Sequence, residues 1–101
     1  MEKRSHPRFR TRFEALCASA RHEGAGVLAD ISYTGARLEG SSLRPELGTK
    51  IHLYVFIQPV RPFELAGEVV RSDASGFAIA YTVEDPEVQR LVDDVAALVC
   101  V

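Results

Sequence analysis

From Phe13 to Thr82 the apolar residues return at every second position in short runs, and the runs are separated by turns rich in glycine or proline. Period-two alternation in short pieces describes half-buried strands, and it leaves no room there for a long amphipathic helix. The clearest run is Lys50 to Ile57. Ile51, Leu53, Val55 and Ile57 fall on one face of it, with His52, Tyr54 and Phe56 on the other. Gln58-Pro59-Val60-Arg61-Pro62 ends the run, because proline has no N–H to give to a central ladder.

The same reading places a first strand from Phe13, where Phe13, Ala15, Cys17 and Ser19 alternate with Glu14, Leu16, Ala18 and Ala20. Both faces are small or apolar, as suits a strand curling around a barrel. Arg21-His22-Glu23-Gly24 is a turn, Ala25 to Ile31 a second strand, and Ser32-Tyr33-Thr34-Gly35 a turn into a third strand at Ala36 to Glu39. Gly40-Ser41-Ser42 and Pro45-Glu46-Leu47-Gly48 carry loop chemistry. Phe63 to Arg71 and Phe77 to Thr82 pair as a hairpin across Asp73-Ala74-Ser75-Gly76.

The period then changes once. Val88, Leu91, Val92, Val95, Leu98 and Val99 share one face of a helix, with Asp85 as its N-cap, Pro86 at its first position and Glu87 near the positive end of its dipole. The helix is expected to lie across the strands or to cover one end of them. Short, evenly spaced antiparallel strands followed by one helix predict an all-β barrel or sandwich in a single domain.

Charge narrows the function. The net charge is −2, which argues against a general DNA or RNA binder. Yet the first twelve residues hold Lys3, Arg4, Arg8, Arg10 and Arg12 against one acid, Glu2, while the segment from Glu84 is mainly acidic. A basic arm on an acidic domain suggests a local anion site, since guanidinium groups bind phosphate in two-pronged fashion. No stretch is long and apolar enough to enter a membrane as a helix, and no apolar leader follows the charged start, so the protein is expected in the cytoplasm. Cys17 and Cys100 stand far apart and read as free thiols in apolar settings. With the scattered His6, His22 and His52 they imply no metal. No paired nucleophile and base is evident, so no enzymatic activity and no cofactor are expected.

Two clusters carry the remaining signal. Arg4 and Arg8 form an RxxxR spacing preceded by Lys3, and Pro7 keeps that segment extended or turned. Asp30, Ser32 and Gly35 form a DxSxxG at a strand-to-strand turn. Arginine's planar fork matches the O6 and N7 acceptors of guanine, and phosphate as well. A carboxylate at Asp30 accepts from the N1–H and N2–H₂ donors that arginine leaves unsatisfied. Ser32 brings a hydroxyl that donates to phosphate or shapes the turn. Gly35 permits a positive φ and a close backbone approach. Arg10 and Arg12 read as solvent-facing charges that approach the phosphates if the arm folds over, and Tyr33 and His6 are candidates for stacking on a base.

RxxxR followed by DxSxxG in a domain of this length closely resembles the PilZ domain family. The Gly67-Glu68-Val69-Val70-Arg71 strand, the turn at Gly76 and the Ala80-Tyr81 strand end add to the resemblance, and Ala78 departs from it where glycine is common. The resemblance implies a six-stranded antiparallel barrel with a C-terminal α-helix that binds cyclic di-GMP through Arg4, Arg8, Asp30, Ser32 and Gly35. Lys3 is placed where a side chain influences whether one ligand or a stacked pair is held. It further implies a mobile arginine-rich arm over residues 1–12, a barrel over 13–82 and a helix over 85–101. The arm is expected to order over the ligand and to signal to an effector protein by contact, the protein being a monomer or a weak helix-mediated dimer. The rival readings are a PilZ-fold interaction module that binds no nucleotide and a nucleic-acid-binding barrel.

Overall fold

The computed structural model describes residues 8–56, 62–82 and 86–99. Six strands precede one helix: β1 (Phe9–Ala18), β2 (Glu23–Ile31), β3 (Gly35–Glu39), β4 (Lys50–Val55), β5 (Phe63–Asp73), β6 (Gly76–Tyr81) and α1 (Pro86–Val99). They stand in the order β1-β2-β3-β6-β5-β4, every neighbour antiparallel, and β1 pairs with β4 to close the barrel. The closing ladder runs from Ala15 opposite Val55 to Ala18 opposite His52. Closure removes the free sheet edges on which other chains would pair. The expected six-stranded antiparallel barrel with a C-terminal helix is the fold.

Alternation builds the interior. Ile51, Leu53 and Val55 on β4, Leu65 and Val69 on β5, and Phe77 and Ile79 on β6 are all buried in one core, while Tyr54 and Phe56 point outward. Cys17, a free thiol, lies in the same core, and burial pushes its pKa up. Large and small side chains share this interior, Phe77 and Leu38 being buried in the same core as Ala15 and Ala36.

β1 begins at Phe9, four residues before the predicted Phe13. The reason is packing: Phe9 and Phe13 both rest against the core, and Arg10 lies opposite Asp30 in the β1–β2 ladder. Residues 9–12 thus belong to the barrel and not to an arm. β5 runs on to Asp73, so the hairpin to β6 closes on Ala74 and Ser75 alone. There the Asp73 carboxylate accepts hydrogen bonds from the backbone N–H of Ser75 and of Gly76, at 2.9 and 3.1 Å.

The sheet is irregular at one place. Leu28 and Ile31 are both wholly buried although three residues apart, which strict alternation forbids. The β2–β3 register shifts between Leu28 and Asp30, and the β1–β2 register shifts between Arg10 and Phe13. β2 carries one residue more than β3 at this point, the signature of a β-bulge. The Thr11 hydroxyl donates to the Leu28 carbonyl at 2.6 Å where the regular ladder is interrupted.

Helix α1 packs on the end of the barrel that holds the β2–β3 turn. Val92 and Val95 complete the core, and Val88 and Leu91 rest partly buried against it. Four of the six predicted apolar positions thus meet the barrel as expected. The side chains of Leu98 and Val99, with Asp85 and Cys100, lie outside the described ones. No helix among the described residues is long and apolar enough to cross a membrane.

Candidate functional site

The bulge sets the outer face of β2. With Leu28 and Ile31 both turned inward, Asp30 faces out, directly across from Arg10 on β1 and Arg37 on β3. Arg8, the residue before β1, reaches over this face, and its guanidinium donates to Asp30 Oδ1 at 3.2 Å. The second arginine of the RxxxR and the acid of the DxSxxG, 22 residues apart in sequence, are therefore in contact. One nitrogen occupies one carboxylate oxygen. A carboxylate has about four lone-pair sites, so Asp30 keeps acceptor capacity for a ligand.

Arg37 is held elsewhere. Its guanidinium donates to Glu39 at 3.1 Å, to both carboxylate oxygens of Asp73 at 3.0 and 3.2 Å, and to the Ser75 hydroxyl at 2.7 Å. The hydrogen bonds from Arg37 and then those from Ser75 hold the Asp73 carboxyl well below the usual carboxylate range. Sequence reasoning passed over this group. Its one local clue is Glu39, two residues from Arg37 and hence on the same strand face.

Ser32 is almost wholly buried and its hydroxyl is used internally. It accepts from the backbone N–H of Thr34 and of Gly35, and lies 3.2 Å from both the Gly35 carbonyl and the Thr34 hydroxyl. Of the two roles foreseen for it, shaping the turn is the one the structure shows. Gly35 also differs from expectation, because its φ is not positive. What the position demands is space: a Cβ there would lie 2.2 Å from the Ile79 carbonyl oxygen on β6. Close strand approach, rather than left-handed backbone, excludes a side chain.

Tyr33, a candidate for stacking on a base, is half-buried beside the turn. It packs against the core, and its hydroxyl donates to Asp93 of α1, a contact that raises the phenol's pKa. The turn of the DxSxxG is thereby tied to the helix. Tyr81, at the end of β6, is bonded through its backbone N–H to the Thr34 carbonyl. Its hydroxyl is buried without a hydrogen-bond partner among the described residues. Burial, and secondarily the charge on Asp30, raise its pKa.

Beside Asp30 lies an open cleft of about 670 Å³, lined by Arg10, Thr11, Arg12, Val27, Ala29, Asp30, Glu39 and Gly40. Its size falls among those of small-molecule sites, and its walls are mainly polar. Lys3, Arg4 and His6, and with them most of the predicted arm, lie outside the described residues.

The family model described as "PilZ domain" matches residues 2–97, nearly the whole chain. Among solved structures, the PilZ domain of CeSA from a cellulose-synthesizing bacterium is similar at 18% identity and a TM-score of 0.73, over 88% of this chain and 97% of that one. The Bacillus subtilis inhibitor of motility (MotI/DgrA) is similar at 15% identity and a TM-score of 0.71, over 97% of this chain, which spans 51% of that protein's chain. No curated protein matches.

Proposed function

The chain belongs to the PilZ domain family, and from that premise we propose that it binds cyclic di-GMP on the outer face beside Asp30 and signals to a protein partner. The observation that carries this reading is the Arg8–Asp30 contact at 3.2 Å. It joins a donor for guanine O6, N7 or phosphate to an acceptor for the guanine N1–H and N2–H₂ edge, so one site meets both halves of a guanine nucleotide. Arg4 is assigned to the ligand by the RxxxR motif, and Lys3, just before it, to the choice between one ligand and a stacked pair. Ser32 and Gly35 serve by holding the turn that carries Asp30.

The mechanism is contact signalling. A ligand gripped by Arg4 and Arg8 on one side and Asp30 on the other joins the N-terminal segment to the barrel and creates a composite surface for an effector protein. The Tyr33–Asp93 hydrogen bond gives that event a route to α1, since the turn bearing the motif is attached to the helix. The protein acts in the cytoplasm as a receptor or adaptor rather than as an enzyme.

Isothermal titration of cyclic di-GMP into the purified protein, with GTP and cyclic di-AMP as controls, tests the proposal. Selective, saturable binding is expected, lost or strongly weakened in Arg8→Ala and in Asp30→Ala, with the barrel still folded. Undiminished affinity in both variants would sink the site. No heat from the wild-type protein would leave an interaction module that reads no nucleotide.

A further inference from the structure

The two acids that border the 670 Å³ cleft are already engaged, Asp30 by Arg8 and Glu39 by Arg37. Arg10 and Arg12 line the same cleft, and neither has an acidic partner within ion-pair distance among the described residues. Both are exposed, on the outer face of β1, and two positions of strand set them about 7 Å apart. The wall thus presents two uncompensated guanidinium groups beside a carboxylate that has acceptor capacity left.

We propose that Arg10 and Arg12 form the phosphate-binding wall of this site, taking the phosphodiester charges of a nucleotide whose guanine is read at Asp30. The inference rests on the nucleotide reading above and adds two residues outside the RxxxR and DxSxxG motifs. Three features support it. Arg10 lies opposite Asp30 in the β1–β2 ladder, so the two backbones are one strand spacing apart, roughly 5 Å, and their side chains rise from the same face. Thr11 between the two arginines is anchored to the Leu28 carbonyl, which holds this stretch of β1 firmly against β2. Finally, an unpaired arginine gives up no existing salt bridge when it takes up phosphate, whereas Arg37 would have to leave Asp73 and Glu39.

The residue types suit the task. Guanidinium donates two parallel hydrogen bonds to a phosphate and remains charged at any physiological pH. Contacts of this kind are charge-assisted, and they make affinity fall with added salt. The wall therefore favours a ligand carrying two phosphodiester charges over an uncharged guanosine, and it supplies affinity while Asp30 supplies base selection.

The test compares three forms of the full chain by calorimetry at low and high salt: wild type, the double variant Arg10→Gln/Arg12→Gln, and Arg21→Gln/Arg44→Gln. Arg21 and Arg44 are exposed and do not line this cleft, so the third form matches the change in net charge. The wall variant should bind cyclic di-GMP roughly tenfold or more weakly, with a shallower salt dependence, and the charge control should stay within about threefold of wild type. Arg10→Lys/Arg12→Lys should recover the salt dependence and part of the affinity, which a misfolded wall would not. Equal affinity and equal salt dependence in wild type and the wall variant would overturn the assignment. So would equal weakening in the wall variant and the charge control. A wild-type protein that takes up no cyclic di-GMP at either salt defeats the nucleotide reading itself, an outcome distinct from these.

Discussion

Strand β4 keeps step from Lys50 to Val55, whereas β2 loses step between Leu28 and Ile31. On β4 every second side chain is buried and the rest are exposed, so the strand contributes to the core on one face and little but surface on the other. On β2 the extra residue puts two neighbours, Ala29 and Asp30, between two inward-facing positions. The outer face there is widened, and a carboxylate stands on it between arginines from both adjacent strands. Regular pairing makes a barrel stable, and the local departure from it shapes the face on which binding is proposed. The cost of the departure is offset nearby, by the Thr11 hydroxyl on the Leu28 carbonyl and by the self-contained Ser32 turn.

If β4 is core and β2 is site, variants in the two strands should fail differently. Leu53→Ala, at a position with no exposure, should cost about 2–5 kcal/mol of stability through lost burial and a cavity. Chemical denaturation measures it, and a loss below about 1 kcal/mol would mean that β4 is not the packed element it is taken to be. Deleting Ala29 leaves Leu28 and Ile31 in regular alternation, so a single cooperative unfolding transition should survive. Nucleotide affinity should fall roughly tenfold or more, because Asp30 moves by about one residue of strand, roughly 3.4 Å, relative to β1. A deletion variant that binds as well as wild type would separate the bulge from the site.

Asp30→Asn is the finer probe of the same contrast. The Arg8–Asp30 pair is partly exposed, so its loss should change stability by only about 1 kcal/mol or less. Nucleotide binding should weaken by about tenfold, because an amide cannot accept from guanine at both oxygen positions. A stability loss as large as that of Leu53→Ala would show that β2 is as much core as β4. The smallest expected effect lies at Asp73, the acid that holds Arg37. The Asp73 carboxyl is held below its ordinary range in the folded protein, so the stability it contributes is whole above about pH 4, the unfolded value. That contribution disappears as the pH falls from there through the depressed folded value. Thermal unfolding followed from pH 5 to pH 2 should fall less steeply in Asp73→Asn than in wild type. Identical slopes would remove Asp73 from the acid response.

Much of the architecture was legible in the sequence. Lys50 to Val55 announced their faces one by one, the change of period at Val88 announced the helix, and the pairing of RxxxR with DxSxxG pointed to the family. The start of β1 was not legible, because Arg10 and Arg12 look like a solvated arm until Phe9 is seen against the core and Arg10 against Asp30. Nor were the roles of Ser32 and Gly35 settled by their residue types. A serine in a turn serves either a ligand or its own backbone, and a glycine answers equally to a positive φ or to a close neighbour.

The sequence by itself determined which segments are strands and which is a helix, and which residue types are available for guanine and phosphate. Those properties are local: side-chain alternation and turn chemistry act over a few residues, and each residue carries its own hydrogen-bonding groups wherever the chain goes. Only the tertiary structure decided the order of strands around the barrel, the shifted registers beside Asp30 and the partition of arginines. Arg8 goes to Asp30, Arg37 goes to Glu39 and Asp73, and Arg10 and Arg12 remain without an acid among the described residues. The reason is that pairing across strands joins residues far apart in the chain. One added residue at Ala29 changes which side chains meet without altering the composition or the motif that carries them.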